Sequence, residues 1–105
     1  METTKAVNDV LNERQRQISE KSYTSEHDDK YGHFELARAG VSYAQNAVFF
    51  CDCDATNKYK GVPSILGWPF AEKHWKPKSV RKDLVKAAAL IIAEIESIDR
   101  MAEGA

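Results

Sequence analysis

Apolar residues recur with helical spacing in three stretches of the chain. Val7, Val10, Leu11 and Ile18 share a side of a helix predicted over about residues 4–20, with Arg14, Arg16 and Gln17 elsewhere on it, so its apolar stripe is thin. The polar run from Lys21 to Gly32 reads as a structured loop, because Thr24-Ser25-Glu26-His27-Asp28-Asp29 is rich in residues that favour turns and helix starts. A second helix is predicted over about residues 33–49, where Leu36, Gly40, Tyr43, Ala44 and Ala47 make a stripe whose small members allow a neighbouring helix to approach closely. The third, over about 79–101, starts where Pro77 and Ser79 suit a helix beginning, and Leu84, Ala88, Ile91, Ile95 and Ile98 recur at spacings of four, three, four and three. Between Val85 and Ile95 nearly every side of that helix is apolar. It is therefore either the central helix or one covered by a second subunit, and the expectation is a dimer or larger assembly.

Residues 50–78 lack periodicity and hold all three prolines, Pro63, Pro69 and Pro77, with Gly61 and Gly67. Loops this long are uncommon inside compact domains and are usually functional or disordered. Disorder is not expected beyond about Val62, since Ile65, Leu66, Trp68, Phe70 and Trp75 are costly to leave in water. That half is predicted to pack down as an ordered lid with a short helical turn near Ala71–Trp75. The fold expectation is all-α: one domain over residues 1–105, with three main helices and a long aromatic and proline-rich loop before the last of them.

Charge changes this picture more than composition does. The net charge is −1, yet residues 1–57 carry six cations and ten anions, residues 58–86 eight and two, and residues 87–105 one and four. The middle of the chain is a basic island that draws small anions first, while its acidic flanks argue against a long nucleic acid. The longest apolar run, Ala87–Ala93, is seven residues and far too short to cross a bilayer. No apolar segment follows the charged first residues as a secretory signal would require, and Cys51 and Cys53 are too close together to staple distant elements. A cytoplasmic protein is expected, without a membrane partner.

The segment from Gly67 to Asp83 places both tryptophans, Trp68 and Trp75, beside Lys73, Lys76, Lys78, Arg81 and Lys82. Aromatic faces stack on bases, and helix N-termini aided by Lys and Arg bind phosphates. The alternative is that the tryptophans anchor the loop and the lysines are merely solvated. A second cluster, Glu26-His27-Asp28-Asp29 with His33 and Glu35 behind it, has the chemistry for a divalent metal or for hydrogen bonds to a ribose. Helix capping explains the same residues, and Glu35 in a first turn also suits the helix dipole. Cys51 and Cys53 are read as structural or incidental thiols, because a tetrahedral site needs four ligands. No glycine-rich phosphate loop, nucleophile elbow or paired-histidine metal motif occurs in the chain. Neither a metal nor a cofactor is expected.

Three blocks of the sequence resemble a family of small, functionally uncharacterised phage and prophage proteins: Glu13-Arg14-Gln15-Arg16-Gln17-Ile18 leading to Tyr23-Thr24-Ser25-Glu26-His27-Asp28-Asp29; Glu35-Leu36-Ala37 with Ser42-Tyr43-Ala44; and Trp68-Pro69 through Trp75-Lys76-Pro77 into Arg81–Glu96. The resemblance spans most of residues 13–100, and the position of His74 is often another Trp in that family. It implies a phage accessory protein and no known reaction. A looser similarity to ryanodine-receptor-type repeats lends mild support to nucleotide-like ligands. Proteins of this kind include sponges that sequester nucleotide-derived immune signals.

Three functions follow as expectations. The first is a non-catalytic oligomeric sponge in which Trp68 and Trp75 stack on a base, Lys76, Lys78, Arg81 and Lys82 hold phosphates, and His27, Asp28 and Asp29 bond ribose or base edges. The second is a small all-α Mg²⁺-dependent nucleotide pyrophosphohydrolase using Glu35, Asp83, Glu94 and Glu96, none of which is paired three residues apart as that chemistry requires. The third is an inhibitor that grips a host defence or metabolic enzyme through exposed loop aromatics.

Overall fold

A computed structural model describes residues 2–20, 32, 34–53, 55, 57–63 and 67–104. Its helices are α1 (Lys5–Glu20), α2 (Glu35–Phe49), the single turn α3 (Asn57–Lys60) and α4 (Val80–Glu103). Two 3₁₀ turns, Cys51–Cys53 and Glu72–His74, punctuate the connection between α2 and α4. The protein is all-α, with no strand among the described residues. The second of those turns falls where a helical turn was expected, whereas α3 and the turn at Cys51–Cys53 lie in a stretch whose sequence has no periodicity to announce them.

Each long helix starts on a different device. At α1 the Thr4 hydroxyl accepts the Val7 N–H at 3.2 Å and the Thr4 carbonyl accepts the Asn8 N–H at 3.0 Å, satisfying donors that the first turn cannot. At α4 the Ser79 hydroxyl caps the Lys82 N–H at 3.2 Å. Helix α2 has no such residue, since Phe34 precedes it in the left-handed region at φ 59°, ψ 36°. That conformation costs a side chain of this kind roughly 1–2 kcal/mol. The missing cap comes from α4 instead: Glu94 Oε1 accepts the Ala37 N–H at 3.1 Å and places a carboxylate at the positive end of the α2 dipole.

Helices α2 and α4 run antiparallel, with Ala37 beside Glu94 at one end and Tyr43 beside Lys86 further along. They approach closely at Gly40, where an added Cβ would stand 3.0 Å from the Ala87 carbonyl oxygen and 3.1 Å from Ile91 Cγ1. The small stripe read in the sequence is thus what lets the helices meet. The core between them is Leu36, Ala39 and Tyr43 on α2 with Ala87, Leu90 and Ala93 on α4.

Helix α1 is attached differently. Arg14 Nε donates to Glu96 Oε1 at 2.9 Å and Arg81 to Asp9 at 2.8 Å, two contacts that advance together and make α1 and α4 run in the same sense. Arg14 and Gln17 are buried, while Val7 and Leu11 are exposed. The apolar spacing of α1 therefore marks a helix, but the side chains that dock it are mainly polar.

Asp83 organises the start of α4. It is wholly buried, accepts the Tyr59 hydroxyl at 2.6 Å and takes the Lys78 N–H on Oδ1 at 3.0 Å. One carboxylate so ties α3, the chain entering α4 and α4 itself together. Among the described residues no helix is long and apolar enough to cross a membrane.

Candidate anion-binding groove

The basic island of the sequence becomes a surface when α1 lies along the first half of α4. The two helices and the chain leading into α4 enclose an open groove of about 820 Å³. Lys5 and Arg16 project from α1, Lys76 and Lys78 from the entering chain, and Arg81, Lys82 and Lys86 from α4. Among the described residues Asp9 and Glu13 are the carboxylates in its wall, so seven cations face two anions.

Those two carboxylates neutralise only part of the groove. Asp9 takes Lys5 at 3.0 Å and Arg81 at 2.8 Å, and these hydrogen bonds hold its carboxyl below the usual aspartate range. Glu13 is pulled both ways: burial pushes its carboxyl up, but the hydrogen bonds and charge of Arg16, at 2.6 and 2.7 Å, together with the Gln17 hydrogen bond and the Lys86 charge, outweigh that and leave it lowered. Among the described residues the ammonium groups of Lys78 and Lys82 have no carboxylate partner. Lys86 is lowered by its burial, against the opposing pull of Asp83 and Glu13.

Helix α4 opens onto the groove with its own caps already in place. Ser79 takes the Lys82 N–H and Asp83 takes the Lys78 N–H, so the start of the helix offers fewer free donors than a bare N-terminus would. Binding in the groove therefore falls mainly to side-chain cations.

The tryptophans lie beside this groove, in an aromatic layer over the α2–α4 core. Trp75 stacks on Tyr43 with ring centroids 4.7 Å apart, and Trp68 meets both rings edge-on at 5.1 and 5.4 Å. Phe70 extends the layer, 5.6 Å from Trp68. Both indole N–H groups are bonded to backbone carbonyls, Trp75 to Val62 at 2.9 Å and Trp68 to Ala71 at 3.0 Å. The Tyr43 hydroxyl accepts the Lys76 N–H at 3.2 Å, and Lys86 Nζ stands 4.6 Å from the Tyr43 ring centroid. Under Trp68 and Phe70 is a recess of about 60 Å³, room for about two waters. Arg16, Lys76 and Lys86 line both that recess and the groove, so the two adjoin.

A comparison with family models, with curated proteins and with solved structures finds no match to this chain. The site therefore rests on its own chemistry.

Of the residues singled out in the sequence, Lys76, Lys78, Arg81 and Lys82 come together in the groove, and Trp68 lines the adjoining recess. Trp75 belongs to the aromatic layer and is not part of the groove wall. Glu35 is in the first turn of α2 and does not line it either. His27, Asp28 and Asp29 lie outside the described residues. The carboxylates considered for metal-assisted hydrolysis are scattered among structural tasks. Asp83 is tied to Tyr59, Glu94 to the start of α2 and Glu96 to Arg14. Among the described residues no three His, Cys, Asp or Glu side chains are grouped as a metal would need, and Cys51 is an exposed free thiol.

The contributions of Lys5, Arg16 and Lys86 were not foreseen. Lys5 and Arg16 belong to the acidic first half of the chain, and only the parallel docking of α1 on α4 carries them to the basic island.

Proposed function

We propose that this protein binds a small polyphosphorylated ligand, a nucleotide or nucleotide-derived signal, in the groove between α1 and α4, and holds it without changing it. The observation that carries the reading is the charge imbalance of the groove among the described residues, seven cations against two carboxylates in a chain whose net charge is −1. A concentrated positive field in a concave site favours a compact multivalent anion. Lys78 and Lys82, which have no carboxylate partner among the described residues, supply ammonium groups to phosphates, while Arg81 is pre-positioned by Asp9. Because Lys76 and Lys86 are shared with the recess under Trp68, a ligand gripped at Lys78 and Lys82 has its uncharged end at an aromatic mouth. The resemblance to phage and prophage proteins would make such a binder a sponge for an immune signal in the host cytoplasm.

The experiment is retention followed by release. Purified protein is incubated with ATP, ADP-ribose and a cyclic dinucleotide in the presence of Mg²⁺, freed of unbound ligand, heat-denatured and assayed by chromatography. Recovery of intact ligand from wild type, lost in the Lys78→Gln, Lys82→Gln double variant, is the expected result. Recovery of a converted product would establish an enzyme instead. Failure of every anion to be retained would remove the proposal and favour a protein partner.

A further inference from the structure

Helix α4 carries two seams with the same spacing, about 100° apart on the helix. Asp83, Ala87, Leu90, Glu94 and Ser97 form the seam that the chain buries against its own helices. Leu84, Ile91, Ile95 and Ile98 form the other, and all four are exposed, Ile95 to 51%. The outward seam is the more apolar of the two. Bulky aliphatic residues repeating at heptad spacing on an exposed helix face are the pattern by which helices interlock with other helices.

The seam does not stand alone. Ile91 borders Gly40 of α2, and on the antiparallel α2 the residues rotated to the same side of that contact include Val41 and Val48, both exposed. The aromatic layer of Trp68, Phe70 and Trp75 covers Tyr43 and Leu90, which face the other side of the α2–α4 pair. One side of the pair is thus covered by the chain's own loop, and the other exposes aliphatic side chains of both helices, Val41 and Val48 with Leu84, Ile91, Ile95 and Ile98.

We propose that this surface is the contact between two copies of the chain, packed face to face with their α4 helices antiparallel about a twofold axis near Ile91. Three observations choose a second copy over another occupant. First, a twofold pairing sets a patch against itself, and a seam centred on Ile91 matches Leu84 of one copy to Ile98 of the other and the two Ile91 residues to each other. Second, charge flanking the outward seam is polarised: Arg81 stands at its start and Asp99 near its end, 18 residues and so five whole turns apart on the same flank of α4. Antiparallel packing brings Arg81 of one copy to within about 3 Å, along the axis, of the level of Asp99 of the other and opposes the two helix dipoles; parallel packing would do the reverse. Third, two adjacent helices each about 10 Å wide, over the roughly 27 Å from Leu84 to Met101, offer about 500 Å² per copy. That is about 1,000 Å² in total, the size at which specific interfaces begin.

The test uses the full chain. Light scattering coupled to gel filtration is expected to give twice the chain mass at high micromolar concentration, and Ile95→Glu is expected to raise the dimer Kd at least about tenfold while leaving helical circular dichroism unchanged. A wild-type monomer at that concentration, or a dimer indifferent to Ile95→Glu, overturns the proposal. Orientation is read in a Cys51→Ser, Cys53→Ser background. Leu84→Cys together with Ile98→Cys should give an oxidised covalent dimer, whereas either substitution alone should not. Efficient crosslinking of Leu84→Cys alone means parallel helices and overturns the antiparallel arrangement. These readouts do not involve the groove ligand, so the dimer can fail while the anion reading stands, and the reverse.

Discussion

The aromatic layer and the basic groove adjoin each other and share Arg16, Lys76 and Lys86, yet they differ in how much of their bonding capacity is already used. In the layer Trp75 stacks on Tyr43, and both indole N–H groups and the Tyr43 hydroxyl have backbone partners. In the groove the ammonium groups of Lys78 and Lys82 face solvent without a carboxylate, among the described residues. Tryptophan and lysine both qualify as ligand-binding residues by type. What separates them is that the folded chain satisfies the former and leaves the latter available.

Removing an aromatic should test this most severely. Trp75→Ala deletes the ring stacked on Tyr43 and leaves the Val62 carbonyl without its donor, and should cost about 3 kcal/mol of folding stability. Urea denaturation followed by circular dichroism measures it. A loss of ligand retention with stability intact would mean that Trp75 serves the ligand and that the contrast between the two regions is wrong.

Asp83→Asn sits on the boundary. It keeps the side-chain shape but removes the charge that accepts from Tyr59 and Lys78, for an expected loss of about 2 kcal/mol. It also removes an anion that lies behind the groove, so at temperatures where the variant is folded its retention of ATP should equal or exceed that of wild type. Weaker retention by well-folded protein would show that Asp83 positions the cations directly.

On the groove side the expectation is inverted. The Lys78→Gln, Lys82→Gln double variant should unfold within about 0.5 kcal/mol of wild type, because exposed side chains without partners contribute little. Its affinity for a polyphosphate should nevertheless fall about tenfold, or roughly 1.4 kcal/mol. Isothermal titration at two salt concentrations reads both the loss and the reduced salt dependence that goes with fewer charges in the contact.

The same distinction explains what the sequence made legible. Helices predicted over 4–20, 33–49 and 79–101 are found at Lys5–Glu20, Glu35–Phe49 and Val80–Glu103, because the periodicity and the Ser79 cap are local signals. The start of α2 was harder to place, since its cap is Glu94, which is distant in sequence. Spacing identified Leu84, Ala88, Ile91, Ile95 and Ile98 as a stripe but not which seam of α4 the chain itself covers, and the buried seam includes Asp83, Glu94 and Ser97. Charge blocks located half of the groove. The other half depends on how α1 docks, through Arg14 and Asp9, which no local pattern encodes.

The smallest effect tests the anions in the groove wall. Glu13 has a lowered carboxyl in the folded protein, so its stabilising contribution is complete above the ordinary glutamate value of 4.5 and is lost as pH falls through its folded value. Between about pH 5 and pH 3 wild type should therefore lose thermal stability more steeply than Glu13→Gln, the two curves converging at the acid end. Near neutrality the substitution also removes an anion from the groove wall and makes the groove more positive, so retention of ATP should rise. If acid stability flattens but anion retention does not increase, Arg16 serves the fold and the groove's binding strength belongs to the lysines.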